Sequence, residues 1–412
     1  MLRIIELGLL LGAIATQAVE ALPAFIPPSS ASQWVSNGQA LYFQTNEKDN
    51  AIVSVKINEN GTLSEGLKVW TNGTGASEIS AATNQTASPD GLSSQGSVAV
   101  VGNSLFAVNA GDNTVSLFSI DEQDPTNITL LGSPASVPGD FPVSVAASAL
   151  NNLVCVGTSG TRSGVACGPY SPFVGIGKLD FLRPFDLDQS EIPAGPLDTV
   201  SQLKFSDDET KLLVTVKSGP AVNKTGFLAV FPVTGSWLTG EAKVAPSRIE
   251  SPLNGTVAMF GFTQIGQSNR YFVADPGFGA VIISVDENTD SAQLLHKQVI
   301  SDQKATCWAA ISPVSNSAFV TDPLVNHIVE MSLTDASILS VVNTTSANDA
   351  TGYIDLAAAG SYVYALSPGA KQGQGAEIAV VSVADGNNKT VSQSFSVGSN
   401  AGSSAQGLAI YP

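Results

Sequence analysis

The sequence contains few of the residues on which metal and nucleophilic chemistry usually depend. Its 412 residues include three cysteines and two histidines. It has no Walker phosphate loop, no His-Glu-X-X-His motif, no paired Cys-X-X-Cys motif and no Gly-X-Ser-X-Gly elbow. These motifs therefore give no indication of nucleotide, zinc or hydrolase chemistry, and we expect neither a cofactor nor a metal.

Basic residues are also scarce, with 18 Lys and Arg against 35 Asp and Glu and a net charge of −17. Such a charge opposes binding to nucleic acid or to anionic lipid. The apolar run at residues 7–15 is shorter than the roughly 20 residues that span a membrane, so no membrane span is expected. With Arg3 before it and small residues up to Ala21 after it, the run is typical of a secretory leader. We expect cleavage between Ala18 and Ala21, so that residues 1–21 are the signal peptide.

Short apolar runs on either side of a turn rich in Asp, Asn, Gly and Pro recur along the rest of the chain. This pattern predicts antiparallel hairpins. Seven copies begin at Leu41, Phe106, Leu153, Leu212, Tyr271, Ala318 and Tyr362. A small apolar strand precedes six of them and also occurs once at the end, at 96–101, 143–147, 201–205, 261–265, 308–312, 354–358 and 407–411.

A polar fourth strand, such as residues 128–131 or 293–299, completes each repeat. Four-stranded units in seven copies predict an all-β, seven-bladed β-propeller over residues 22–412, as a single domain. The chain begins with a hairpin that lacks its small strand and ends, at "SSAQGLAIYP", with a small strand that lacks its hairpin. We therefore expect the C-terminal strand to complete the N-terminal blade.

Two of the cysteines, Cys155 and Cys167, flank the turn of the third hairpin. Facing strands would bring their Cα atoms within the roughly 5.5 Å that a disulfide needs, which favours a bond over two free thiols. Cys307 is then left over. We expect it to be a small buried side chain of an inner strand rather than a nucleophile, since no His lies near it in sequence.

Eight Asn-X-Ser/Thr sequons support export independently, although chance matches are also frequent in a chain rich in Asn, Ser and Thr. They lie at Asn60, Asn72, Asn84, Asn127, Asn223, Asn254, Asn343 and Asn388. We expect several of them to carry glycans.

The segments at 94–121 ("SQGSVAVVGNSLFAVNAGDNTVSLFSID") and 152–168, together with the C-terminal "SSAQGLAIYP", resemble secreted fungal proteins described as 3-carboxymuconate cyclase-like. This group belongs to the seven-bladed lactonase-type propellers. The resemblance implies two metal-free chemistries, hydrolysis of sugar lactones and interconversion of a carboxylated muconate with its lactone. Both activities and the fungal, cell-wall setting are expectations from the resemblance alone.

Muconate chemistry needs a positioned acid or base, typically His or Glu, and Arg side chains that grip substrate carboxylates. Beyond the leader the sequence has only four arginines, at 162, 183, 248 and 270. His296 falls in a predicted outer strand and His327 near a turn, and for both we favour an exposed surface position over a catalytic role. The complement of His and Arg is therefore poor for this chemistry.

In a propeller the hairpin turns and the segments leading into the inner strands share one face, here called the turn face. It is the candidate site, and its charged residues are Asp140, Arg162, Asp275, Lys304 and Asp322. Arg162 and Lys304 could hold an acidic ligand. Asp275 and Asp322 begin matching Asp-Pro turns, where a side chain that bonds its own backbone explains them, so we favour a structural role over ligand binding.

Three glutamines, Gln95, Gln202 and Gln406, recur at the starts of inner strands and are predicted to line the channel mouth. They could bind a polar ligand or ordered water. Together these features favour a secreted, glycosylated binding protein or antigen with lost or altered chemistry, whose partner is a small acidic ligand or an extracellular or cell-wall component. The alternatives are a lactonase or carboxymuconate cycloisomerase acting on a small acidic lactone, and a structural wall glycoprotein.

Overall fold

A computed structural model describes residues 36–218, 226–235, 242–344, 352–369, 374–384 and 389–412. The predicted leader and the sequons at Asn223 and Asn388 lie outside these ranges. Within them the chain forms β-strands and one short 3₁₀ helix, Gly398–Asn400. No helix in the described ranges is long and apolar enough to cross a membrane.

The strands follow one another with short connections. In the first half of the chain they are β1 (Ala40–Gln44), β2 (Ala51–Ile57), β3 (Leu63–Trp70), β4 (Ile79–Ser80), β5 (Val98–Val101), β6 (Ser104–Asn109), β7 (Thr114–Ile120), β8 (Ile128–Leu130), β9 (Ala135–Ser136), β10 (Pro142–Ser148), β11 (Leu153–Thr158), β12 (Gly164–Ser171), β13 (Gly175–Ile176), β14 (Arg183–Pro184) and β15 (Ala194–Gly195). In the second half they are β16 (Val200–Phe205), β17 (Lys211–Val216), β18 (Phe227–Thr234), β19 (Lys243–Val244), β20 (Ile249–Pro252), β21 (Phe262–Gln264), β22 (Arg270–Asp275), β23 (Gly279–Val285), β24 (Ala292–Val299), β25 (Trp308–Ser312), β26 (Ser317–Asp322), β27 (Val325–Ser332), β28 (Ile338–Asn343), β29 (Leu356–Ala359), β30 (Tyr362–Ser367), β31 (Glu377–Ser382), β32 (Thr390–Ser396) and β33 (Gln406–Tyr411).

All of these strands except β4 and β15 form seven antiparallel sheets, each running from an inner to an outer strand, which are the blades of a propeller. From blade 1 to blade 7 they contain β33-β1-β2-β3, β5 to β9, β10 to β14, β16 to β20, β21 to β24, β25 to β28 and β29 to β32. In blades 2, 3 and 4 the outer strand is split in two, and both parts pair with the third strand. The all-β, seven-bladed prediction is confirmed.

The ends of the described chain close the ring within blade 1. The C-terminal strand β33 pairs antiparallel with β1, so that Ala40 faces Tyr411 and Leu41 faces Ile410. Strand pairing between the two ends leaves no open edge at the junction. This is the predicted closure, and it is confirmed.

Burial follows the position of a strand within its blade. All six residues of β6 are buried, because a middle strand packs against neighbouring blades on both faces. The outer strand β32 instead alternates between exposed and half-buried residues. Apolar runs therefore mark the middle strands and polar alternation marks the rim, which is why the repeat is readable in the sequence.

The predicted disulfide is present in the hairpin of blade 3. Cys155 on β11 faces Cys167 on β12, and their Cα atoms are 4.1 Å apart. Cys307 is a free, buried cysteine just before the inner strand of blade 6. Burial raises the pKa of its thiol well above the ordinary value, which suits a packed side chain rather than a nucleophile.

Two long segments cross the turn face. One, residues 71–97, connects blade 1 to blade 2, and the other, residues 185–199, connects blade 3 to blade 4. They meet where β4 pairs in parallel with β15, with Ile79 opposite Ala194 and Ser80 opposite Gly195. The two segments thus brace each other over the ring and position the groups described next.

Candidate functional site

Asp140 and Arg162 form an ion pair on the turn face of blade 3. The Arg162 Nη2 lies 2.5 Å from Asp140 Oδ1, and its Nε donates to the same carboxylate at 3.1 Å. The Asp140 side chain is 10% exposed and that of Arg162 is 60% exposed. Burial alone would raise the pKa of Asp140, but the hydrogen bonds and charge of Arg162 outweigh it and lower that pKa. The guanidinium is therefore already engaged by a carboxylate of its own chain.

Asp275 and Asp322 are buried and bind backbone amides. Asp275 accepts hydrogen bonds from the amides of Val257, Ala258 and Gly277, at 2.8, 3.1 and 3.0 Å. Asp322 accepts from three amides in the same way, those of Lys304, Ala305 and Leu324. Each carboxylate ties a hairpin turn to the segment that leads into the inner strand of the same blade. Both residues hold the loops of the turn face in place rather than facing a ligand.

Lys304 lies in one of these tied segments, on the turn face between blades 5 and 6. Its backbone amide donates to Asp322 at 2.6 Å. Its side chain is exposed. Both predicted cations are therefore exposed, but Lys304, unlike Arg162, makes no ion pair with a described residue.

The three predicted glutamines do not play equal parts. Gln202 accepts a hydrogen bond from the Phe262 amide at 2.6 Å, and Gln406 donates to the Pro89 carbonyl at 3.3 Å. Each therefore joins its own blade to a neighbouring element. Gln95 makes several bonds that reach across the ring, and its position is different in kind.

Gln95 lies at the centre of the ring on the turn face. Its Nε2 donates to the Ala309 carbonyl of blade 6 and to Asp355 Oδ1 beside blade 7, both at 3.1 Å. Its Oε1 accepts from the Ala309 amide at 3.2 Å. Its backbone amide donates to the Ser201 carbonyl of blade 4 at 2.9 Å, and its carbonyl accepts from the Ser144 hydroxyl of blade 3 at 2.8 Å.

Gln95 belongs to residues 89–97, which we call the axial segment. Other residues of this segment also contact the surrounding blades. The Ser94 carbonyl accepts from Trp308 Nε1 at 3.0 Å, and the Ser94 hydroxyl donates to the Val143 carbonyl at 2.7 Å. At Gly261 of blade 5, an added Cβ would lie 1.9 Å from Gln95 Oε1, so only glycine permits this approach. The Pro89 carbonyl accepts a hydrogen bond from Gln406 of blade 1. The axial segment, which leads into blade 2, thus contacts all six remaining blades and fills the mouth of the channel.

The buried ionisable groups Lys217 and Glu78 lie beneath the axial segment, and the half-buried Asp90 of the segment itself completes a cluster with them. Lys217, 1% exposed, donates from Nζ to the Ser93 carbonyl at 2.6 Å and to the Ser201 hydroxyl at 3.0 Å. Its Nζ also lies 4.4 Å from the centre of the Phe260 ring. Glu78, also 1% exposed, accepts a short hydrogen bond from the Ser93 hydroxyl.

Burial shifts the pKa of each group in this cluster toward its neutral form. It raises the pKa of Glu78 and lowers that of Lys217. It also raises the pKa of Asp90 to about 6, against the charge of Lys217 and the amides of Ser93 and Leu92. An added Cβ at Gly195 would lie 2.3 Å from both Glu78 carboxylate oxygens, so the second crossing segment closes over this carboxyl.

Asp355, which receives the Gln95 amide, has a strained backbone. Its φ is +110°, outside the ordinary range for a residue with a side chain. It is 1% exposed, its Oδ1 also accepts from the Leu356 amide at 2.8 Å, and its Oδ2 has no partner among the described residues. Burial raises the pKa of this carboxyl well above its usual value.

Sequence reasoning missed Glu78, Asp90, Lys217 and Asp355. One signal was available for Lys217, which directly follows the first strand of its hairpin, because the first strands of the other six hairpins end with a neutral polar or acidic residue: Gln44, Asn109, Thr158, Asp275, Asp322 and Ser367. A lone basic residue there indicates an acidic partner across the turn face. The carboxyls near Lys217, those of Glu78 and Asp90, lie in a segment outside the repeat. No other blade has residues at matching positions with which they could be compared.

The two histidines differ in environment. His296 is exposed on β24, as expected. The surface position expected for His327 is wrong, because β27 pairs on both sides and Asp302 lies against the ring, with Nδ1 3.6 Å from Asp302 Oδ2. The His327 side chain is 6% exposed.

Two cavities among the described residues open on the opposite face, away from the axial segment. One of about 560 Å³ lies between blades 4 and 5, and another of about 1270 Å³ lies beside blades 1 and 2. No group of three His, Cys, Asp or Glu side chains in the described ranges is placed to hold a metal ion.

Comparison with known proteins defines the class of the molecule by its fold. No protein-family model matches the sequence, and no curated protein matches it. The structure is similar to a candidate 6-phosphogluconolactonase from Bacteroides fragilis, with a TM-score of 0.58 and 11% identity over 93% of this chain and 100% of that one. A second such candidate, from Bacteroides uniformis, gives 0.59 and 13% over 88% and 98%.

A protein from Lactobacillus plantarum gives a TM-score of 0.59 and 12% identity, over 91% of this chain and 100% of that one. The chain therefore has the lactonase-type seven-bladed propeller fold. At these identities the likeness concerns the fold alone, and the site must be judged from its own residues.

Proposed function

We propose that the protein is a secreted, N-glycosylated binding protein of the extracellular space or cell wall, built on a lactonase-type propeller whose ancestral chemistry is lost or altered. The observation that carries this proposal is the axial segment. Gln95 and its neighbours occupy the channel mouth, where a small substrate would otherwise meet the inner strands.

The charged residues of the turn face support the same reading. Arg162 is paired with Asp140, and the carboxylates of Asp275 and Asp322 are saturated by backbone amides. A carboxylate-gripping site needs cations free to form paired hydrogen bonds with the ligand. Of the two predicted cations, only Lys304 makes no ion pair with a described residue, and its exposed side chain suits contact with an acidic partner better than enclosure of a small substrate.

Glycosylation and secretion are supported by the surface. All six sequon asparagines in the described ranges are exposed, at Asn60, Asn72, Asn84, Asn127, Asn254 and Asn343. The disulfide between Cys155 and Cys167 fits an oxidising compartment. The predicted leader and the resemblance to secreted fungal 3-carboxymuconate cyclase-like proteins agree with this.

One observation favours the alternative, a lactonase or carboxymuconate cycloisomerase acting on a small acidic lactone. The cluster of Glu78, Asp90 and Lys217 has shifted pKa values of the kind that acid-base catalysis uses. For this cluster to act, the axial segment would have to move away from the channel mouth.

The test is turnover by the purified, glycosylated protein on a panel of carboxymuconates and sugar lactones. Arg162→Ala, Lys304→Ala and Glu78→Gln variants are measured in parallel. The proposal predicts no turnover by the wild type. Turnover that any of these variants abolishes would establish the enzyme and overturn the binding protein.

A further inference from the structure

We propose that the 560 Å³ cavity between blades 4 and 5 binds a neutral, polyhydroxylated ligand, a saccharide. It opens on the face opposite the turn face, and its volume lies in the range of small-molecule sites. The inference rests on the proposed function, because it names the ligand class of an extracellular binding protein. We call this cavity the blade 4/5 pocket.

The pocket is formed by three turns that hold one another in place. The Asp207 amide of blade 4 donates to Gln264 Oε1 of blade 5 at 2.8 Å. Gln264 Nε2 in turn donates to the Ser268 carbonyl at 2.7 Å. Lys211 reaches across to Asp290 at 2.5 Å. A pocket fixed by such bonds before the ligand arrives binds with a smaller loss of entropy.

Tyr271 is a largely buried residue whose hydroxyl makes no hydrogen bond to a described residue and stays accessible from the pocket. It is 4% exposed, and its ring packs edge-on to Phe262 with the ring centres 6.2 Å apart. Burial, followed by the charges of Asp207 and Asp208, raises the pKa of this hydroxyl, so it is a neutral donor that faces the two carboxylates. A buried tyrosine normally finds a partner for its hydroxyl.

Three exposed polar side chains line the same pocket. The Asp207 carboxylate and the side-chain amides of Gln267 and Asn269 line the pocket and make no hydrogen bond within the described structure. They supply acceptors and paired donors, the set that a ligand with several hydroxyl groups satisfies. Amides and a carboxylate around an aromatic hydroxyl therefore favour a saccharide over an apolar ligand.

Charge narrows the ligand class further. Asp207, Asp208 and Glu287 line the pocket, and its one lysine, Lys211, is paired with Asp290. This excess of carboxylates opposes an acidic ligand such as a uronic acid or a phosphosugar.

The experiment is titration of the full-length, glycosylated protein with laminaritriose and chitotriose. Binding is measured by calorimetry and by saturation-transfer NMR. Galacturonate is the acidic probe and glucosamine the cationic one. Tyr271→Phe removes only the hydroxyl, and Gln267→Ala alters an exposed residue, so the second variant stays informative if the first is unstable. Tyr362→Phe in blade 7 is the matched tyrosine control.

We expect one neutral trisaccharide to bind, galacturonate not to bind, and Tyr271→Phe and Gln267→Ala each to weaken binding about 3- to 10-fold, as for a lost hydrogen bond. Tyr362→Phe leaves the affinity unchanged. Failure of both trisaccharides, preference for galacturonate or glucosamine, or binding that neither pocket variant alters would overturn the inference. Lactone turnover, measured separately, would instead overturn the proposed function, so the two failures are distinguishable.

Discussion

Replacement of Gln95 by Ala tests whether hydrogen bonds of Gln95 hold the axial segment across the channel mouth. The Gln95 side chain makes three hydrogen bonds, two to Ala309 and one to Asp355, in a nearly solvent-free position. At about 1 kcal/mol for each buried bond, Gln95→Ala should lower the free energy of unfolding by about 3 kcal/mol. Gln406→Ala removes one bond, to Pro89, and should cost about 1 kcal/mol.

The assay is guanidinium unfolding of the wild type and both variants, compared at a common denaturant slope. Gln406 is a suitable control because it is the same residue type, is equally buried and lies at the start of an inner strand. The reasoning would be refuted if Gln95→Ala cost no more than Gln406→Ala. The axial segment would then lie over the channel mouth without being held there by the hydrogen bonds of Gln95.

Three further predictions concern pH, the disulfide and the glycans. Asp355 keeps its proton in the folded state and loses it on unfolding above its ordinary pKa, so this residue makes stability fall as pH rises, by up to about 1.4 kcal/mol per unit. Asp355→Asn should therefore gain stability relative to wild type in thermal melts as the pH rises above the ordinary pKa of an aspartate, and parallel curves would contradict this. Replacing Cys155 and Cys167 by Ala opens a loop with a sequence separation of 12 and should cost about 3 kcal/mol in denaturant unfolding; a cost near zero would contradict the loop-closure argument. Mass spectrometry before and after enzymatic deglycosylation should find glycans on several exposed sequons, and an unmodified secreted protein would contradict the glycoprotein.

Much of the fold could be predicted because the blades repeat. Hairpins such as 271–286 carry the same alternation of apolar runs and turn residues in each copy, so one reading serves all seven blades. The ring closure followed from the missing strand at one end and the surplus strand at the other. The Cys155–Cys167 pair followed from the hairpin, since cysteines flanking a short turn face each other.

The candidate site was harder to predict because its key groups lie outside the repeat. Gln95 was recognised as a channel residue, but its contacts reach residues more than 200 positions away. Glu78 and Asp90 belong to a long connection without a periodic pattern, and nothing in their local sequence shows that they meet Lys217. Burial decides the chemistry of such groups, and burial here depends on where two crossing segments meet.

The blade 4/5 pocket could not be predicted from the sequence either. Its residues come from turns of two blades, where polar side chains are common and individually carry no signal. Tyr271 was predicted as a strand residue, which it is, yet its hydroxyl reaches the surface of a cavity that only the packing of neighbouring blades creates.

Closure of the channel mouth by the axial segment is the central claim, and hydrogen–deuterium exchange at residues 89–97 tests it most directly. The Gln95 amide donates to the Ser201 carbonyl at 2.9 Å, and the Ser93 amide donates to Asp90 at the same distance. If the mouth is closed, these amides should exchange as slowly as those of the middle strands, such as β6. Exchange as fast as that of exposed turns would show that the mouth opens freely. It would contradict the closed channel mouth on which the binding-protein proposal depends.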